Sequence, residues 1–182
     1  MFYMKLAIEQ AKIAQKNGEI PIGAIIVNSE NVIARAYNMI NKPLLKPVYS
    51  GKFLRKVKVD ATEHLNICEE NEIATFCNRS SDPTAHAEML VIRKACEFAA
   101  ISQLCDFDMY VTLEPCPMCA QAISFAKIRR LYFGAYNPKG GGVENGPRIF
   151  QFCNHIPETY GGILEKECSF LLKDFFQRLR NR

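Results

Sequence analysis

Apolar side chains recur with a helical period at the start of the chain. They stand every three or four residues, at Tyr3, Leu6, Ala7, Ile8, Ala11, Ile13 and Ala14. Charged residues fill most of the positions between them, and the pattern stops at Asn17 and Gly18, a pair typical of a helix C-cap. The pattern therefore predicts one amphipathic helix.

Two short segments that follow have the composition of β-strands. They are residues 23–27, GAIIV, and residues 32–37, VIARAY, and four turn-forming residues separate them. This arrangement predicts a β-hairpin.

A strand–helix–strand unit is predicted further along the chain. The two strands are MYVTL at 109–113 and RLYFGAY at 130–136. Between them, Pro115 and Pro117 bracket a helix start and MCAQAISFAKI continues the helix. Such a unit implies a right-handed crossover, so the two strands should be parallel.

Two more helices are predicted from the same kind of pattern. The first has Asp82 as its N-cap and Pro83 at its first helical position, and it extends to about Phe98. The second covers residues 164–180 and closes the chain. Residues 137–147 contain four glycines and predict an ordered loop or turn.

Residues 39–81 have no convincing apolar period and far exceed the usual length of a connection, about 4 to 6 residues. We interpret them as an insertion or a functional flap. Basic residues dominate the first half and acidic residues the second, which favours local charge pairing over a pure nucleic-acid arm.

Composition indicates an ordinary globular protein. The chain has 182 residues, of which 48% are apolar and 23% charged, so we expect one domain over residues 1–182 with the insertion at about 39–81. No run of about 18 apolar residues occurs, and the first residues lack an export signal, which predicts a cytoplasmic protein without a membrane partner. The net charge of +4 permits a polyanionic partner without demanding one.

The eight cysteines should be reduced thiols in such a protein. Six have no close partner and are expected to pack as small apolar residues. Cys116 and Cys119 differ, because they stand three residues apart at a helix start, where both thiols lie on one face and the helix dipole favours thiolates.

His86 also lies near a predicted helix start, so it can complete a metal site with Cys116 and Cys119. A catalytic zinc ion takes three protein ligands of these types and keeps the fourth position for water. Glu88, two residues beyond His86, can flank the ion without binding it and act as general acid and base.

Each feature has a simpler interpretation when taken alone. A single Cys-x-x-Cys pair also occurs in structural zinc sites and redox pairs, His86 could be a core residue, and Glu88 a solvated one. Together they form H-x-E followed by P-C-x-x-C, which is the signature of zinc-dependent nucleobase deaminases.

With these motifs the chain resembles the bacterial tRNA-specific adenosine deaminases of the cytidine deaminase superfamily. The resemblance rests on GEIPIGAIIV, AYN, DPTAHAE, YVTLEPCPMCAQA, RLYFGAYNPKGG, NH at 154–155 and LLKDFFQRLR, and covers nearly everything except the insertion. It implies an α/β protein with a three-layer α/β/α fold and a mixed five-stranded sheet. It also implies one Zn²⁺ per subunit, a homodimer, and hydrolysis of the first anticodon adenosine of tRNA to inosine.

The resemblance also implies roles for individual residues. His86, Cys116 and Cys119 match the zinc ligands, and Glu88 matches the proton shuttle. Asn38 and the main chain at Ala87 match contacts to the flipped base, and Phe176 matches an aromatic residue near the anticodon stem. Alternatives are a turn role for Asn38 and core packing for Phe176. The chain departs from the family at Asn137, where an aspartate is common.

Two other functions remain open from the sequence. One is deamination of a free base or nucleoside such as guanine, cytosine or cytidine, which uses the same zinc and glutamate. The other is a structural zinc module that binds nucleic acid, which would need a fourth ligand from His64, His155 or another cysteine. A basic cluster of Lys127, Arg129 and Arg130 could contact phosphates or simply be solvated.

Overall fold

A five-stranded sheet is the centre of the fold, which a computed structural model describes for residues 1–40 and 82–181. The strands are β1 (Gly23–Asn28), β2 (Asn31–Tyr37), β3 (Phe107–Leu113), β4 (Arg130–Ala135) and β5 (Glu158–Tyr160). The helices of these residues are α1 (Phe2–Lys16), α2 (Ala87–Ala99), α3 (Pro117–Phe125) and α4 (Glu165–Arg180), with a 3-10 turn at Ile149–Phe152. Most of the predicted insertion 39–81 lies outside the described residues.

The sheet is mixed, with the order β2-β1-β3-β4-β5. β1 is antiparallel to both β2 and β3, which confirms the hairpin, whereas β3, β4 and β5 are parallel. The parallel pairing of β3 and β4 across α3 was predicted from the strand–helix–strand pattern. It brings the segments that follow these two strands to the same edge of the sheet.

Helices cover both faces of the sheet and make the expected three layers. Along β3 the side chains alternate, so Met109 and Val111 pack towards α2 and α3, whereas Tyr110 packs towards α1 and α4. The larger apolar core lies on the α2 and α3 side, and a smaller one around Met4 and Cys168 lies on the other. Side chains alternate between the two faces along each strand, and each face needs its own apolar cover, so the core is divided in two.

The predicted start of α2 is wrong by one turn. Asp82 does not cap the helix: its Oδ1 accepts hydrogen bonds from the Thr84 N–H at 2.8 Å and the Thr84 hydroxyl at 2.6 Å, which closes a local turn. The helix begins at Ala87, after His86 in extended conformation. The Asx-type turn forms in place of a first helical turn, because the Asp82 side chain hydrogen-bonds to backbone that the helix would otherwise include.

The other helices agree with the pattern, except that α3 ends at Phe125, three residues before the end of its predicted segment. α1 and α4 begin and end within a residue or two of their predicted bounds, and Pro117 is at the first position of α3. Within the ranges 1–40 and 82–181, every helix is too short or too polar to cross a membrane.

Candidate metal centre and its surroundings

The three predicted metal ligands meet at two neighbouring helix starts. His86 is the N-cap of α2, Cys116 is the N-cap of α3, and Cys119 lies in the first turn of α3. Their donor atoms all lie within 4.8 Å of one another. His86 Nδ1 is 3.7 Å from the Cys116 sulfur and 3.5 Å from the Cys119 sulfur. The group is therefore suited to hold one metal ion.

The close approach of His86, Cys116 and Cys119 shifts their pKa values. A hydrogen bond from Cys119 lowers the pKa of Cys116 to about 4, and the same hydrogen bond raises the pKa of Cys119, so the thiolate is favoured at Cys116. A hydrogen bond with Cys116 raises the pKa of His86. The helix N-termini add a favourable field for thiolate, and a cation bound here would displace the remaining proton.

Glu88 lies beside this group in the first turn of α2 and is only 4% exposed. Burial raises the pKa of its carboxyl group to about 7. Its Oε2 atom has no hydrogen-bond partner among the described residues. A buried carboxyl oxygen without a partner is costly for the fold, and such groups concentrate where chemistry needs a proton carrier.

Asn38 and Ala87 are joined by a hydrogen bond. Asn38 follows β2, is 1% exposed, and accepts a hydrogen bond from the Ala87 N–H through its Oδ1 at 2.9 Å. Asn38 N–H in turn donates to the Ile22 carbonyl at 3.1 Å. The side chain thus ties the end of β2 to the first residue of α2, between His86 and Glu88.

Phe176 lies on the outer part of α4 and is 43% exposed. Its ring makes an edge contact with Phe175, at 5.5 Å between centroids. α4 packs on α1 and β4. Phe176 is therefore only partly packed against the rest of the protein, and core packing does not account for the exposed part of its ring.

The two arginines of the basic cluster, at the start of β4, are engaged in ion pairs. Arg129 makes a two-point contact with Asp108 at 2.9 and 3.0 Å, and Arg130 Nε lies 2.8 Å from Glu158 Oε2. These partners offset the positive charge that the sequence pattern alone suggested for phosphate contacts.

His155, a proposed fourth ligand for a structural zinc module, is engaged away from the metal group. Its Nε2 donates to the Ile128 carbonyl at 2.7 Å. His64, the other histidine considered, lies outside the described residues. The group in the described part of the chain thus has three donors, which is the number found in catalytic rather than structural zinc sites.

Sequence reasoning assigned no role to Glu114, although it precedes Cys116 by two residues. This carboxylate is 1% exposed and accepts hydrogen bonds from the loop after β4. Burial alone would raise its pKa, but these hydrogen bonds outweigh burial and lower it below the usual value. The sequence contained one signal for this role: Glu114 directly follows a strand predicted to be buried, and a buried carboxylate requires hydrogen-bond partners.

The chain is similar in sequence to deaminases over nearly its whole length. Residues 1–180 match the family model of the MafB19-like deaminases. The tRNA-specific adenosine deaminase of Agrobacterium fabrum is 42% identical over 180 residues, covering 98% of this chain and 94% of the relative. That of Bacillus subtilis is 38% identical over 182 residues, covering 99% and 90%.

A solved structure from a study of A-to-I editing by tRNA:A34 deaminases at the wobble position of transfer RNA is also similar. It is 40% identical to this chain, with a TM-score of 0.70, and the match covers 94% of this chain and 99% of that one.

Proposed function

Because the chain belongs to the family of tRNA-specific adenosine deaminases, we propose that it hydrolyses the first anticodon (wobble) adenosine of tRNA to inosine, using one zinc ion per subunit. The observation that carries this proposal is the group of His86, Cys116 and Cys119 next to the buried carboxyl group of Glu88.

The residues fit zinc. With zinc–sulfur and zinc–nitrogen bonds of about 2.3 and 2.05 Å, a tetrahedral shell places sulfur and nitrogen about 3.6 Å apart. The observed distances from His86 Nδ1 to the two sulfurs are 3.7 and 3.5 Å. His86, Cys116 and Cys119 would hold the ion and leave its fourth position open.

When bound, zinc would lower the pKa of a water molecule and so supply a nucleophile near neutral pH. Glu88 would carry two protons: one to the ring nitrogen as the water oxygen bonds to the neighbouring carbon that bears the amino group, and the second to that amino group as the C–N bond breaks and ammonia leaves. The raised pKa of Glu88, about 7, suits a group that must both accept and release a proton at neutral pH. Burial of Glu88 also keeps bulk water from competing for these protons.

Asn38 and Ala87 are proposed to hold the base. The Oδ1 atom of Asn38 is committed to the Ala87 N–H, so a contact from Asn38 to the base would come from its Nδ2. The main chain at Ala87 lies between the metal ligand and Glu88 in sequence, which suits it to contact a base edge. These assignments follow from the resemblance and are supported by the position of both residues.

The outer end of α4 is proposed to contact the anticodon stem. Phe176 is partly exposed, and Arg178 and Arg180 follow it on the same helix. Arg178 pairs with Asp174 at 3.0 Å, whereas Arg180 Nε lies 3.4 Å from the Phe176 carbonyl oxygen. An exposed ring can stack on a base and a neighbouring guanidinium group can neutralise a phosphate, as in the recognition of single-stranded RNA loops. Because tRNA is a cytoplasmic substrate, the proposal also places the protein in the cytoplasm.

A homodimer is proposed from an exposed apolar surface. Phe125 and Phe152 are 74% and 81% exposed and line one surface cleft of about 390 Å³ together with Lys127 and His155. Two large apolar rings that share a surface cleft are typical of an interface rather than of a solvated face. A second copy of the chain is the occupant that we propose.

The substrate test uses the zinc-loaded protein with three kinds of substrate in parallel. These are a tRNA anticodon stem-loop with adenosine at the first anticodon position, the same stem-loop with guanosine there, and free guanine, cytosine and cytidine. We expect inosine and ammonia only from the adenosine stem-loop. Deamination of the free compounds without reaction of the stem-loop would instead favour the alternative, a free-base or nucleoside deaminase.

A further inference from the structure

Glu114 lies between β3 and the turn that contains Cys116, and it is a buried anion surrounded by N–H groups. Five donors reach its carboxylate at distances from 2.6 to 3.4 Å. They are the main-chain N–H groups of Asn137, Val143, Glu144 and Asn145 and the side-chain amide of Asn145. All of them belong to the loop after β4.

Three of these donors are consecutive along the chain. The N–H groups of Val143, Glu144 and Asn145 all point at the Oε1 atom of Glu114. Consecutive N–H groups that converge in this way form a nest, a structure that proteins commonly use to bind anions. Here the anion is the protein's own carboxylate, so the loop is folded around Glu114.

The same loop packs on the backbone that carries Cys116. The Gly142 N–H donates to the Pro115 carbonyl at 2.8 Å. A Cβ atom at Gly142 would lie 2.6 Å from the nitrogen of Pro117 and 2.9 Å from the carbonyl carbon of Cys116. Gly142 is therefore required by space, because the loop backbone touches the turn backbone there.

We propose that Glu114 is a positioning residue, whose carboxylate holds the loop 137–145 against the turn at Cys116 and so keeps the Cys116 sulfur where it binds the metal. This inference rests on the proposed zinc function. Residues that orient a metal ligand from outside the ligand shell typically contribute a factor of about 10 to 100 in metal affinity.

A carboxylate is required at this position, since an amide of the same shape does not satisfy the loop. Oε1 accepts three of the donors and Oε2 accepts two. In Glu114→Gln either orientation of the amide turns an NH₂ group towards N–H donors, which leaves buried donors without an acceptor. The variant is therefore expected to loosen the loop while changing almost no volume.

The test measures zinc release from the full-length, zinc-loaded protein. Zinc is captured by a chromogenic chelator in excess, and the release rate is read from its absorbance. We expect release from Glu114→Gln to be at least about 10-fold faster than from wild type. Substitution with Co²⁺ gives a second readout, because a displaced thiolate changes the intensity of the sulfur-to-cobalt absorption band.

Two controls separate positioning from general stability. Glu144→Gln removes an exposed carboxylate from the same loop and should release zinc at the wild-type rate. Ile8→Ala weakens the core on the opposite side of the sheet, where Ile8 is 5% exposed, and gives a variant of lowered melting temperature with an intact loop. It should also keep the wild-type release rate.

Gly142→Ala provides an independent variant if Glu114→Gln does not fold, because it retains Glu114 and displaces the loop by contact of the new Cβ atom with the backbone of Cys116 and Pro117. Faster zinc release in this variant supports the proposal. Wild-type release rates in both variants, or an equal acceleration in Ile8→Ala, overturn it. If the wild-type protein itself binds no zinc, it is the proposed function that fails.

Discussion

The side-chain oxygen of Asn38 accepts a hydrogen bond from the main-chain N–H of Ala87 at 2.9 Å, and this bond joins the end of β2 to the start of α2, between the metal-ligand candidate His86 and the proposed proton carrier Glu88. Ala87 is the first residue of the helix, and its N–H group is one that has no partner within the helix. The side chain of Asn38 thus caps the helix at the position that we propose for a contact with the base.

These two roles of Asn38 can be separated by two substitutions. Asn38→Ala leaves the buried Ala87 N–H without an acceptor and should lower the free energy of unfolding by about 1 to 3 kcal/mol, with loss of activity. Asn38→Asp retains the acceptor at a helix N-terminus, where a negative charge is favourable, but lacks the NH₂ donor. We expect Asn38→Asp to unfold near the wild-type temperature and to have at least about 10-fold lower kcat/KM, the effect of about 1.4 kcal/mol. Full activity in Asn38→Asp would show that Asn38 caps the helix and does not contact the base.

Glu88→Gln tests proton transfer, since it preserves the shape of the side chain and leaves the three metal-ligand candidates untouched. Turnover of the adenosine stem-loop should fall by roughly 10² to 10⁴-fold, the usual effect of removing a general acid and base. Zinc content and affinity for the stem-loop should be unchanged. Glu97→Gln, on the exposed side of the same helix, is the matched control and should have wild-type turnover. Wild-type turnover in Glu88→Gln would mean that another group carries the proton.

The Oε2 atom of Glu88, which has no hydrogen-bond partner in residues 1–40 and 82–181, leads to a separate expectation about stability. A buried carboxyl oxygen without a partner costs free energy, so its replacement by an amide should leave the metal-free protein as stable as wild type or more stable. Thermal unfolding of both proteins after chelation measures this. A clear loss of stability in metal-free Glu88→Gln would show that the carboxylate supports the fold.

Cys119→Ala tests the metal centre. Cys119 is fully buried in the first turn of α3, and without its sulfur only two donors of the group remain. Zinc content, measured by elemental analysis, should fall from about one ion per chain to nearly none, and the melting temperature should fall with it because metal binding adds to folding free energy. Cys105→Ser changes an exposed thiol outside the group and should retain zinc. Stoichiometric zinc in Cys119→Ala would contradict the assignment.

Phe152→Asp tests the proposed dimer surface. A carboxylate in place of this 81% exposed ring would be buried without a partner in an interface, so the variant should sediment as a monomer at concentrations where the wild type is a dimer. Phe98→Asp, which changes a ring that is 73% exposed on α2, should leave the sedimentation unchanged. A monomeric wild type, or a dimeric Phe152→Asp, would exclude this surface.

Local patterns in the sequence were sufficient to predict the helices, the hairpin and the parallel pair of strands. Each of these elements depends on apolar periodicity and on the positions of Gly and Pro, and both can be recognised within a few neighbouring residues. The types and spacing of Cys116, Cys119, His86 and Glu88 likewise indicated a metal site with a neighbouring acid, because ligand chemistry is a property of the residues themselves.

Only the tertiary structure decided which groups meet. Hydrogen bonds to the Asp82 side chain form a local turn, so α2 begins at Ala87 and His86 is its N-cap. Apolar periodicity does not indicate whether such a turn or a first helical turn forms. Glu114 and the loop after β4 are more than twenty residues apart, and they meet because two parallel strands end at the same edge of the sheet. A contact between distant segments depends on topology and packing, so residue patterns alone predict that a buried carboxylate needs partners but not which ones.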